Sequence, residues 1–237
     1  MQVRDKPVIR ASQKNFGGYF KMVYGESHLF FVKAPIAFMA SAKSGSSTLR
    51  TYCKNQLSYS KHLIDGYERR PAEAYPVKHL VVVLRHPQRR FESGLAFVRN
   101  RNLGMSHALD ALVPTTNQGW RELPKLVRIH LAPISLVIEW LLTEVRELKS
   151  CETVEFIPLA YLDTKLRSIG IKPKRVNKGP SKPVYDESEW EASKHLFDSD
   201  IQLFDRVPFR KTLGFEAALK LVQSCNESLK KSLGSAH

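Results

Sequence analysis

Leu80-Val81-Val82-Val83-Leu84 is an unbroken apolar run, mostly β-branched, closed by Arg85-His86-Pro87. A strand that is apolar on both sides needs cover on both faces. That points to a parallel sheet between helices, because an antiparallel sheet with one wet face alternates apolar and polar residues. Pro87 suits the first turn of a helix. Phe91, Leu95 and Val98 then follow at i, i+4 and i+7, one face of that helix. Ile36–Ala40 and Glu152–Ile157 read as further strands, and His28 to Lys33 as a short one. The expected fold class is α/β, a single domain over 1–237, with a central, mainly parallel sheet flanked by helices. Residues 1–27 form an irregular lead-in, and 207–237 a C-terminal helix and tail.

The remaining pattern fills in the layers. Tyr59–Ile64 is a possible strand. Residues 100–124, with Gly104, Pro114, Gly119 and Pro124, read as an irregular insertion of the kind that carries substrate contacts. Ile134 to Leu148 reads as one amphipathic helix, and 163–170 as a short helix ended by Gly170. Lys172–Pro183 is a basic loop. Asp186 with Glu189 forms a capping pair for a helix that buries Trp190, Phe197, Ile201 and Phe204. Ala217–Lys231 is a last helix.

Between the first two confident strands lies Ala42-Lys43-Ser44-Gly45-Ser46-Ser47-Thr48-Leu49. Leu49, Tyr52, Cys53 and Leu57 fall on one face of a helix after it. A strand, a small-residue loop and a helix form an anion site, because helix-terminal N–H groups lack acceptors and the dipole favours negative charge there. Hydroxyls of Ser46, Ser47 and Thr48 add donors, and Lys43 adds a full charge. A Ser-capped helix with a solvated lysine gives the same pattern. The loop is not a Walker A motif, in which Lys directly follows the second Gly; here Lys43 comes two residues before Gly45. Arg85 ends its own strand, and Ser93 stands eight residues later on the next helix. Ligands of open α/β sheets bind beyond the carboxyl ends of the strands, so both groups are expected on one rim.

Charge agrees with an anionic partner. The chain holds 37 Lys and Arg against 23 Asp and Glu, a formal net charge of +14. From Lys165 to Lys182 there are seven basic residues and no acid. Cys53, Cys151 and Cys225 are too scattered for a disulfide framework or a zinc site. No signal-peptide pattern opens the chain, and the longest apolar stretch, Ala132 to Leu142, is too short to span a bilayer. The expected setting is cytoplasmic.

Lys43 to Leu49 resembles the 5′-phosphosulfate loop of the sulfotransferases. Val81-Val82-Val83-Leu84-Arg85-His86-Pro87-Gln88-Arg89-Arg90-Phe91-Glu92-Ser93 resembles their 3′-phosphate motif. The likeness is strongest to the carbohydrate (Golgi-type, family 2) branch. It continues in His130-x-x-Pro133, Val154-Glu155-Phe156-Ile157-Pro158-Leu159, Val176-Asn177-Lys178-Gly179 and His195–Phe204. This resemblance implies a P-loop-like sulfotransferase fold. The implied donor is 3′-phosphoadenosine 5′-phosphosulfate (PAPS), with sulfuryl transfer to a hydroxyl or amine, a carbohydrate above all, without a metal. It implies that Lys43 contacts the bridging oxygen, and that Ser44, Gly45, Ser46, Ser47 and Thr48 hold the 5′-phosphate. Arg85 and Ser93 would hold the 3′-phosphate, and Lys178 would close over the nucleotide. The family usually has Pro where Ala42 stands and Asp where His86 stands, and its Golgi members carry an N-terminal anchor.

A base must activate the acceptor. His62, between the two motifs, leads; His130, Glu122, His107 and Glu68 compete. The other readings are an inactive relative that binds PAPS or its product PAP, and a basic nucleic-acid-binding protein. The second leaves the Lys43 loop unexplained and lacks a zinc-finger or RNP pattern.

Overall fold

The computed structural model describes residues 28–52, 55–58, 76–100, 130–131, 133–174 and 187–234. The expected strand at 59–64, Cys53, residues 101–124 of the expected insertion and the Asp186 cap lie outside them.

Among the described residues, six strands form one sheet in the order β3-β1-β2-β4-β5-β6. They are β1 His28–Lys33, β2 Ile36–Ala40, β3 Asn55–Ser58, β4 His79–Leu84, β5 Thr153–Pro158 and β6 Thr212–Gly214. The centre is parallel: β4 pairs with β2 on one side and β5 on the other. β1 runs antiparallel to β2 and β3, and β6 antiparallel to β5. Four strands therefore point one way and two run against them, a mixed, mostly parallel sheet.

Period-two alternation sends side chains to two cores. Leu80, Val82 and Leu84 of β4 join Val154 and Phe156 of β5 on one face. That face is covered by α2 Pro87–Asn100, α3 Ser135–Glu144, α5 Glu187–Ser193, α6 Asp198–Arg206 and α7 Phe215–Gly234. Val81, Val83 and Ile157 face the other way, under α1 Ser46–Tyr52 and α4 Leu162–Ser168. The strands that read as apolar on both sides are the ones with helices on both sides.

Several elements differ from the sequence reading. Helix α1 ends at Tyr52, and Leu57 belongs to β3, opposite Leu29 of β1. The i+8 spacing placed Leu57 on the helix by coincidence. The helix expected to reach Leu148 stops at Glu144. Val145 is extended there (φ −79°, ψ 114°), and a 3-10 turn, Arg146–Leu148, leads toward β5. The helix after residue 186 is α5 and α6 joined by a 3-10 segment, Lys194–Phe197. The tighter winding there goes with an aromatic trio: Phe91 to Trp190 and to Phe197 at 5.6 Å each, and Trp190 to Phe197 at 5.4 Å. The 207–237 segment contains β6 as well as the expected helix. No described helix is long and apolar enough to cross a membrane.

α3 is tied to α6 at its N-terminus. The Asp200 carboxylate accepts from the N–H of Ile134 (3.0 and 2.9 Å) and of Ser135 (2.7 Å). Burial raises the Asp200 pKa, against the charge of Arg90 and these N–H donors.

Candidate functional site

The parallel register aligns three strand ends. Ala40 of β2 sits opposite Val83 of β4, and Leu84 opposite Pro158 of β5. The loops after β2, β4 and β5 therefore leave from one rim. α1, after β2, covers one face of the sheet, and α2, after β4, covers the other. Chain leaving neighbouring strands toward opposite faces opens a crevice between them. That crevice is a cleft of about 390 Å³, in the range of small-molecule sites. Lys43, Gly45, Ser46, Ser47, Thr48, Arg85 and Ser93 line it, and Leu159, Ala160, Leu162 and Asp163 form its further wall.

The loop is held in an unusual conformation. Lys43 has φ +65° and Gly45 φ +94°. A left-handed lysine costs about 1 kcal/mol or more, a strain found mainly at functional sites. Gly45 is dictated by space as well as by φ. A Cβ there would stand 2.7 Å from Leu162 Cδ2 and 2.9 Å from Leu159 Cδ1. The loop thus rests directly on the wall that follows β5. Leu49 N–H bonds Gly45 O at 3.1 Å and opens the helical ladder. The N–H groups of the turn before it have no intrahelical acceptor, by the rule of helix ends.

Ser44 departs from the expectation that it binds the ligand. It is fully buried under the loop and is not part of the cleft lining. Its N–H bonds Ser41 O at 3.1 Å, and its hydroxyl accepts from Ser41 Oγ at 3.1 Å. Ser44 braces the loop from below, while Ser46, Ser47 and Thr48 face the opening.

Arg85 connects the two sequence motifs. Its Nη1 donates to the Lys43 carbonyl oxygen at 3.2 Å. Burial lowers its pKa; Glu92 opposes that shift, and Arg89 and Arg90 add to it. An arginine keeps its charge through such a shift. Glu92, itself buried, accepts from Arg89 Nη1 at 3.0 Å. Ser93 lies on the cleft side of α2, so the turn after β4 brings Arg85 and Ser93 to one opening.

Lys43 Nζ stands 3.7 Å from the centroid of the Phe97 ring, one helical turn beyond Ser93. Phe91, Leu95 and Val98 form the buried apolar face of α2 that their spacing predicts, and Phe97 falls outside that pattern. The Leu159–Asp163 wall was missed too, because nothing in Pro158-Leu159-Ala160 marks chemistry. Only its place after a strand that ends on the binding rim could have singled it out. His62 and Lys178 lie outside the described residues, as do Glu122, His107 and Glu68. His130 is described: its ring packs on Phe97 with centroids 4.2 Å apart. Among the described residues, no group of three or more His, Cys, Asp or Glu is placed to hold a metal.

At the opposite end of β4, His79 bonds Thr153 Oγ1 through Nδ1 (2.9 Å) and Glu155 Oε2 through Nε2 (3.3 Å). Lys165 of α4 pairs with the same carboxylate. Burial lowers the His79 pKa, Lys165 lowers it further, and Glu155 opposes both. This group ties β4, β5 and α4 together away from the cleft.

No protein-family model, no curated protein and no solved structure matches this chain.

Proposed function

We propose that this chain is a PAPS-dependent sulfotransferase whose donor lies in the cleft between β2 and β4. One observation carries the reading. The Lys43 loop and the Arg85–Ser93 pair, 42 and 50 residues apart counted from Lys43, meet in one opening lined by hydroxyls, a lysine and an arginine. A ligand phosphorylated at both ends of a nucleoside suits two such groups. The loop stands at a helix start for one anion, and the bidentate Arg85 with a hydroxyl partner serves the other. The cleft volume is adequate for a nucleotide. The apolar wall of Leu159 and Leu162 suits a base or sugar face.

Bound PAPS supplies an activated sulfuryl group on a phosphate leaving group. The protein supplies alignment and charge. By the resemblance, Lys43, which lines the cleft, would stabilise the negative charge that grows on the bridging oxygen as the old S–O bond breaks and the acceptor oxygen bonds to sulfur. Transfers of this kind depend on positioning and electrostatic stabilisation more than on covalent steps. The acceptor proton goes to a base, for which His62 is the leading residue by sequence. The acceptor is a hydroxyl or amine compound, a carbohydrate by the resemblance.

Thermal unfolding tests the reading. PAP at about 100 times its Kd adds roughly 2.7 kcal/mol to stability, a visible rise in midpoint. That rise is expected with PAP and lost in Arg85→Ala and in Ser93→Ala. A rise with ATP and magnesium, and none with PAP, would reassign the cleft to phosphoryl chemistry.

A further inference from the structure

Lys43 is restrained at three points. Its carbonyl accepts from Arg85, its backbone is left-handed, and its Nζ lies over the Phe97 ring. The first two fix where the side chain starts. The third fixes where it ends, 3.7 Å from the ring centroid, inside the range in which a ring face attracts a cation.

The ring is itself held. Phe97 follows Ser93 by four residues, so both lie on one face of α2. Behind it, His130 packs at 4.2 Å between centroids, with the planes tilted by 51°. That approach depends on Gly94. A Cβ at residue 94 would meet the His130 carbonyl oxygen at 2.4 Å and Leu131 Cδ2 at 2.8 Å. One turn of α2 therefore presents a hydroxyl to the cleft, a glycine to the His130 backbone and Leu131 side chain, and a ring to the lysine.

We propose that Phe97 is a positioning residue: a ring shelf, clamped by His130 across Gly94, that holds the Lys43 ammonium beside the cleft before the donor arrives. The shelf keeps a flexible four-carbon side chain from sampling solvent. Its catalytic meaning rests on the sulfotransferase reading. Its existence does not, and two measurements separate them.

The first needs no activity. Reductive methylation with ¹³C-formaldehyde places methyl probes on each lysine Nζ and keeps the charge. The Lys43 methyl signal is expected as an upfield outlier, shielded by the ring. It should vanish in Lys43→Arg, which assigns it, and return to the common lysine position in Phe97→Leu. No upfield signal, or one that survives Phe97→Leu, overturns the shelf.

The second follows PAP released from PAPS with water as acceptor. Phe97→Leu keeps apolar volume and loses the ring, so turnover should fall about five- to thirtyfold. PAP affinity by calorimetry should change less than about threefold, and Phe97→Tyr should restore turnover. Unchanged turnover in Phe97→Leu, or Tyr as slow as Leu in a folded protein, overturns the catalytic role. A wild-type protein that neither binds PAP nor releases it refutes the sulfotransferase reading, and the methyl spectrum still decides the shelf.

Discussion

Lys43 carries the proposed chemistry on a backbone that an ordinary residue avoids, which makes strain and function separable by substitution. Lys43→Ala keeps the left-handed strain and removes the ammonium, so sulfuryl transfer should fall on the order of 10²–10³. Lys43→Gly removes the ammonium and the strain together. It should be as slow as Lys43→Ala and about 1 kcal/mol more stable in urea, because glycine takes φ +65° freely. Equal stability of the two would mean that the loop is relaxed. Two residues later the requirement reverses. Gly45→Ala sets a methyl against Leu159 and Leu162 at a φ of +94°, which should cost about 1–3 kcal/mol and close the cleft to PAP. A Gly45→Ala protein with normal stability and PAP affinity would contradict the observed packing. Fixing a lysine gives up about 1.5–2 kcal/mol of side-chain freedom. A ring shelf at Phe97 would impose that cost before any ligand binds.

The elements that position the site are the ones with the strongest local patterns. β2 and β4 are short apolar runs with both faces covered, and their ends carry Lys43 and Arg85. The sheet centre, and the meeting of the Lys43 loop with Arg85 at one rim, were therefore legible from residue type and spacing. Weak signals failed where tertiary geometry decides. Leu57 matched a helical period yet pairs with Leu29 in the sheet. Thr212–Gly214 is a three-residue edge strand with no alternation to read. Phe97 is part of an i, i+4 pair with Ser93 whose meaning depends on a lysine far away in sequence. Ser44, a small hydroxyl like its neighbours, could not be told from them until the loop's turn put it inside. One element-level contact makes a pH prediction. His79 is held below its ordinary pKa, chiefly by burial, between β5 and α4. The folded state then binds fewer protons than the unfolded chain as pH falls below about 6.5, so stability should fall with acidification there. Wild type should lose stability between pH 7 and 5 more steeply than His79→Gln in urea titrations. Parallel curves would show that His79 titrates alike in both states.

Across the whole molecule the positive charge is uneven: the segments that build the cleft share the excess with the basic run Lys165 to Lys182, and the C-terminal segment has none of it. Residues 28–58 hold four Lys or Arg and no acid, and 76–100 hold five against Glu92 alone. Residues 187–237 hold seven Lys or Arg against eight acids. A field of this form draws a multiply charged anion to the β2–β4 rim and is screened by salt. Raising NaCl from 50 to 500 mM should weaken PAP binding by roughly tenfold, while a neutral nucleoside should be indifferent. The central claim is that two anion motifs, separate in sequence, form one site for a nucleoside phosphorylated at both ends. Calorimetric titration of PAP, 5′-AMP and 3′-AMP into the same protein tests it most directly. If each phosphate meets its own charged or helix-terminal group, either monophosphate should bind on the order of 100-fold more weakly than PAP. Ser93→Ala, which leaves the Arg85 bond to the Lys43 loop in place, should then weaken PAP toward the affinity of 5′-AMP and leave 5′-AMP itself little changed. Equal affinity for PAP and 5′-AMP would mean that Arg85 and Ser93 do not share a ligand with the Lys43 loop, and the reading would fall.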